Sequence, residues 1–74
     1  MGMSVPKIRL QLARNLKRER LKAKLTQERL AELIGVSTRF YQMLESKNPT
    51  AVPVDTIHKI AKALKISPSK LLDF

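Results

Sequence analysis

The segment from Thr26 to Glu45 reads as two short helices broken by one glycine, and few folds accommodate that arrangement. Leu30, Ala31 and Ile34 fall on one face of a helix, and Gly35 interrupts the pattern. Ser37 is placed to cap a second helix, expected from Thr38 to about Ser46, whose inward residues are Tyr41 and Leu44. The small Ala31 lets two helices approach closely. Gly35 can take the positive φ that a sharp turn requires and that would strain other residues.

The flanking sequence is helical as well. Pro6 suits the first turn of a helix that ends near Lys22, with Ile8, Leu12, Leu16 and Ala23 on roughly one face. Thr26 can cap the next helix through its hydroxyl, with Glu28 favourable to the dipole in its first turn. The stretch from Lys47 to Pro53 holds two prolines and reads as a loop. Val54, Ile57, Ile60, Ala61 and Leu64 mark a fourth amphipathic helix, and Ser67-Pro68 opens a short last one, Ser69 to Leu72, that carries Leu71 to the core. No strand pattern, internal repeat or linker is visible. The expected class is all-α, with a tail over residues 1–5 and one domain over 6–74.

At 74 residues the chain can bury one small core. Its 15 Lys and Arg against 6 Asp and Glu leave a net charge of +9, which favours a polyanionic partner. The excess is uneven. Residues 1–24 hold eight basic side chains against Glu19 alone, a net +7, whereas the remainder holds seven against five acids, a net +2. With no cysteine and one histidine, thiolate metal sites and cysteine catalysis are excluded, and no cofactor is expected. Six scattered carboxylates and no glycine-rich phosphate loop offer no catalytic constellation. No apolar run spans a bilayer, so a soluble, cytoplasmic protein is expected.

Arg20, Leu25-Thr26-Gln27, Leu30-Ala31, Gly35-Val36-Ser37, Leu44-Glu45, Ile60-Ala61-Lys62-Ala63-Leu64 and Ser67 with Leu71-Leu72 occur in one order within one short chain. In this the sequence resembles the phage Cro and repressor helix-turn-helix family (XRE-type regulators) from Leu12 to Leu72. The resemblance implies a compact five-helix, lambda-repressor-like domain whose third helix lies in the major groove while the second crosses the backbone. Ser37, Thr38, Arg39, Gln42 and Met43 would then face the bases. Arg39 is suited to guanine, Gln42 to adenine, and Met43 at most to a thymine methyl. Thr26 and Gln27 at the start of the second helix, and Lys47 and Asn48 after the third, would hold phosphates. Arg20 and Glu45 match a structural ion pair joining the first helix to the end of the third.

Some residues depart from the family pattern. Lys24 and Lys65 stand where glycine commonly ends a helix, so each either accepts a left-handed conformation or ends its helix differently. Tyr41 replaces a branched aliphatic residue, and its hydroxyl is expected to reach a partner or the surface. Leu33 stands where a polar residue is usual, implying a contact with the first helix or an exposed patch. His58, near the apolar stripe of the fourth helix, is expected to pack or lie half-exposed.

The leading expectation is a sequence-specific regulator of transcription, a repressor bound to duplex DNA as a homodimer on a near-palindromic site. The apolar residues free to form a dimer are Pro49, Val52, Leu72 and Phe74, although Phe74 could instead fold onto its own core. The alternatives are an antitoxin or other protein-interaction module of the same fold, with a toxin as partner, and a restriction-modification controller. Neither requires a metal, cofactor or membrane.

Overall fold

Most of the helices begin where a side chain supplies the missing acceptor. In the computed structural model, which describes Gly2 and residues 4–74, these are α1 (Val5–Lys22), α2 (Gln27–Ile34), α3 (Thr38–Leu44), α4 (Val54–Leu64) and α5 (Pro68–Leu71). Met1 and Met3, within the segment read as a tail, lie outside the described residues. The first backbone N–H groups of a helix have no partner within it. Thr26 Oγ1 accepts from the Arg29 N–H at 3.0 Å, Ser37 Oγ from the Phe40 N–H at 3.0 Å, and Ser67 Oγ from the Ser69 N–H at 3.3 Å. In α1, proline stands in the first turn, where its missing N–H costs nothing.

Three helices end by the same device. Lys24, Gly35 and Lys65 adopt left-handed φ values of 59°, 76° and 58°. The next residue in each case donates its N–H back five positions: Leu25 to Arg20, Val36 to Ala31, and Ile66 to Ala61, at 3.0–3.2 Å. Leu25, Val36 and Ile66 then pack against the core, so each closure satisfies a helix-end carbonyl and contributes apolar contact. Of the two outcomes open for Lys24 and Lys65, the left-handed one is observed. Only Gly35 takes it without a Cβ penalty.

The core is built by Leu12 and Leu16 of α1, Leu30, Ala31 and Ile34 of α2, Tyr41 and Leu44 of α3, Ile57, Ile60, Ala61 and Leu64 of α4, and Leu71 of α5. α2 packs on α3 and α4, while α5 bridges α1 and α4. Each fully buried leucine or isoleucine contributes about 1.5–3 kcal/mol relative to exposure. Asn15, which carries no sequence signal for burial, is fully enclosed. Its Nδ2 donates to the carbonyls of Leu71 and Asp73, both at 2.9 Å, and its Oδ1 accepts from Gln11 and Arg18. An amide meets both requirements at once, donors toward the chain end and an acceptor toward α1.

Several expected positions differ. α3 stops at Leu44 rather than Ser46 because Glu45 leaves helical geometry to meet Arg20, and α5 starts at Pro68 and ends at Leu71. Val54 and Ala23 are exposed, because each sits at a helix end beyond the reach of the core. His58 is exposed rather than packed. Leu33 is exposed, the second of the two outcomes open for it, and lines a shallow groove with Lys59, Lys62 and Ala63 of α4. Phe74 is exposed and does not fold back onto the core. Among the described residues no helix is long and apolar enough to cross a membrane.

The left-handed lysines generate a test. Lys24→Gly and Lys65→Gly should each stabilise the protein by about 0.5–1 kcal/mol, since relief of the Cβ clash exceeds the added unfolded-state entropy of glycine. Urea midpoints should rise for both, whereas Gly35→Ala should lower the midpoint.

Candidate nucleic-acid interface

α3 divides its residues cleanly between inside and outside. Tyr41 and Leu44 are fully buried, and Phe40 is half-buried against the same core. On the outer side Arg39 and Gln42 are exposed, Met43 is 41% exposed, Thr38 is half-buried, and Ser37 stands exposed at the cap. Residues 38 and 42, and 39 and 43, are four apart and therefore lie one above the other. The result is a two-turn surface combining a guanidinium, an amide, a hydroxyl and a thioether. Arg39 makes no ion pair among the described residues, in contrast to Arg29, which is bonded to Glu32. The packing role of Phe40 escaped the sequence reading, although its i, i+4 spacing from Leu44 would have revealed it.

Behind this surface lies a buried charge cluster. Glu45 Oε2 accepts from Arg20 Nε at 2.8 Å and Oε1 from Arg20 Nη2 at 3.1 Å, a two-pronged bridge with the side chains 2% and 8% exposed. Arg20 Nη1 also donates to the Leu25 carbonyl at 2.6 Å. Gln27 Nε2 donates to Glu45 Oε1 at 3.1 Å. One carboxylate thus ties the end of α3 to α1 and to the first residue of α2. Gln27 is half-buried, with one amide hydrogen committed inward and its carbonyl oxygen uncommitted, and the exposed Thr26 hydroxyl accepts from the backbone as the α2 cap. Lys47 and Asn48 are exposed on the loop beyond α3 and line a groove with the start of α1, so they stand apart from the Gln27 cluster.

Burial pushes the Glu45 carboxyl up, but the Arg20 guanidinium above all, then the neighbouring Tyr41 hydroxyl and the Gln27 amide, outweigh it and hold the group below the usual carboxylate value. The same bridge raises Arg20 against the opposing effect of burial. Tyr41 corrects an expectation: its hydroxyl reaches neither the surface nor a partner. It lies close to the Arg20–Glu45 pair without a hydrogen bond, and burial pushes its ionisation above the ordinary phenol value, keeping it protonated. The aromatic ring fills the space beneath α3, and the hydroxyl, beside a carboxylate already bonded by Arg20 and Gln27, makes no hydrogen bond of its own. Among the described residues no group of three His, Cys, Asp or Glu side chains is placed to hold a metal.

The cluster generates three tests. Arg20→Ala should cost about 3–5 kcal/mol by leaving Glu45 buried without its partner, while Arg20→Met combined with Glu45→Leu should cost less, as read by urea denaturation. Glu45 has a native pKa below its ordinary value of 4.5, so its stabilisation is full above that value and is lost as pH falls through the lower native one. Wild type should therefore lose more stability than the double variant between neutral pH and about pH 3. Tyr41→Phe, in turn, should leave thermal stability unchanged or slightly raised, because it removes an unpaired buried hydroxyl without changing the ring. A loss above about 1.5 kcal/mol would mean the hydroxyl has a partner.

The comparisons with known proteins point one way. The helix-turn-helix family model matches residues 16–71. The chain is similar to the restriction-modification controller protein C.AhdI from Aeromonas hydrophila, at 30% identity and a TM-score of 0.79, over 85% of this chain and 94% of that one. It is also similar to a hypothetical transcription factor, NHTF, from Neisseria, at 27% identity and a TM-score of 0.81, over 97% of this chain and 83% of that one. No curated protein sequence gives a significant match. The order of helices, the glycine turn between α2 and α3, and the family match over most of the chain place this protein in the XRE-type helix-turn-helix family of DNA-binding regulators.

Proposed function

We infer that this protein is a sequence-specific binder of duplex DNA that represses transcription, acting as a homodimer on a near-palindromic operator. The observation that carries the reading is the outer face of α3. Thr38, Arg39, Gln42 and Met43 stand together over a rigid, fully packed underside, and Arg39 has no internal partner. In this reading α3 enters the major groove, Arg39 bonds O6 and N7 of guanine, and Gln42 pairs with adenine, while Ser37, Thr38 and Met43 complete the fit. Gln27 and Thr26 at the start of α2, with Lys47 and Asn48 after α3, hold phosphates and set the register. The second amide hydrogen of Gln27 is free to donate to a phosphate while the bond to Glu45 fixes the side chain. Leu72 and Phe74, 45% and 54% exposed at the end of the chain, supply apolar surface for the dimer. A two-fold pair would then set its reading helices about 34 Å apart, one helical turn of DNA.

A narrower reading, a restriction-modification controller, is favoured by the likeness to C.AhdI. It predicts specific binding upstream of a neighbouring methyltransferase or nuclease gene. The toxin-neutralising alternative has less support, because the outer face of α3 carries no acid and only one apolar side chain.

Selection from random duplex DNA tests the main reading. A two-fold motif should be enriched, and Arg39→Ala should relax one base pair in each half-site, at about 1–3 kcal/mol of lost discrimination. Gln27→Ala should weaken all sequences alike. Absence of any enriched sequence would sink the regulator reading, and equal losses from both substitutions on every sequence would sink the division of roles.

A further inference from the structure

The long first helix reaches past the helix-turn-helix and meets the loop that leaves α3. Arg9 precedes Arg20 by eleven residues, close to three turns, so the two arginines project from the same side of α1 about 16 Å apart. Arg20 is consumed by Glu45, but Arg9 is not. Along this side, Pro6, Lys7, Arg9 and Leu10 form one wall of an open groove of about 540 Å³, and Lys47, Asn48 and Thr50 belong to the other. Lys7, Arg9 and Lys47 are all exposed, and none has an ion-pair partner among the described residues. No carboxylate lines the groove, and the first turn of α1 contains no acidic residue. Pro6, Leu10 and Pro49 give the groove an apolar floor, and the three unneutralised cations stand around it on two elements with an amide and a hydroxyl, so its rim is suited to successive phosphates.

We propose that this groove is a second backbone-binding surface, on which Lys7 and Arg9, together with Lys47, grip phosphates of the same duplex outside the base pairs that face α3. The inference rests on the reading of the protein as a duplex-DNA binder and deepens it. Lys47 and Asn48 make the two surfaces continuous, since they follow α3 directly and also line the groove. Arg9 stands about 16 Å along α1 from Arg20, which is bonded to Glu45 beside Gln27, so the groove is a contact separate from the start of α2. Its contribution is independent of base sequence and steeply dependent on salt. The excess charge of the first 24 residues is therefore partly a dedicated contact and not only a general field.

The test is fluorescence anisotropy of a mixed-sequence duplex of about three helical turns, titrated with the full chain over a series of salt concentrations. If Lys7 and Arg9 each hold one phosphate, Lys7→Ala/Arg9→Ala should lower the slope of log affinity against log salt by about 1.8 and weaken binding about tenfold near physiological salt. Lys62→Ala/Lys70→Ala removes the same charge from α4 and α5, outside the groove, and should leave the slope close to wild type. Lys7→Arg/Arg9→Lys should retain the wild-type slope, and circular dichroism verifies that every variant is folded. Equal slopes for the two alanine pairs would reduce the effect to net charge and overturn the proposal. So would an unchanged slope accompanied by loss of dimer mass in light scattering, which would make the groove a contact between protein copies. If wild type itself fails to bind any duplex, the underlying DNA-binding reading falls, an outcome distinct from a groove variant that behaves as wild type.

Discussion

The carboxylate of Glu45 is the point on which the arrangement of helices depends. It ends α3, receives both prongs of Arg20 from α1, and accepts from Gln27 at the start of α2. A charge this deeply buried is tolerated only with its partner in place, so the geometry is effectively all-or-none. The surface that α3 presents consequently inherits its angle from a contact on the opposite side of the helix. α3 is only seven residues long, too short to be stable alone, and needs such an anchor together with the packing of Tyr41 and Leu44.

A second constraint works at the other end of α1. Asn15 collects the carbonyls of Leu71 and Asp73, which holds α5 against α1 and fixes where the chain leaves the core. Leu71 is buried by this, whereas Leu72 and Phe74 are left outside. α1 therefore serves as a spine: its Arg20 end organises the helix-turn-helix, its middle holds the chain terminus, and its first turns border the loop after α3.

Much of this was readable residue by residue. Thr26, Ser37 and Ser67 cap the helices they precede, because capping is a local bond between a short side chain and an N–H two or three residues on. Gly35 marks a left-handed turn for equally local reasons. The four-residue spacing of Ile57, Ile60, Ala61 and Leu64 identified a buried stripe, but it overextended to Val54, where the helix has run beyond its neighbours. Asn15 could not be read, since nothing in a polar residue on a basic helix announces that two carbonyls from positions 71 and 73 will meet it. The roles of Ser37, Thr38, Arg39, Gln42 and Met43 as base readers came from family resemblance, and the structure adds that they share one outer face on which Arg39 makes no ion pair among the described residues.

Local sequence alone set the number and approximate placement of the helices, the turn between α2 and α3, most of the buried positions and the excess of positive charge in the first 24 residues, while the ends of α3 and α5 were shifted by tertiary contacts. Each of these follows from interactions within a few residues or from composition alone. Only the tertiary structure decided that Glu45 would bond α1 and α2 at once, that Tyr41 would be enclosed without a partner for its hydroxyl, and that Lys7 and Arg9 would line one groove with Lys47. These are meetings between residues many positions apart. They are set by how helices of given length cross and pack, and no local propensity encodes that.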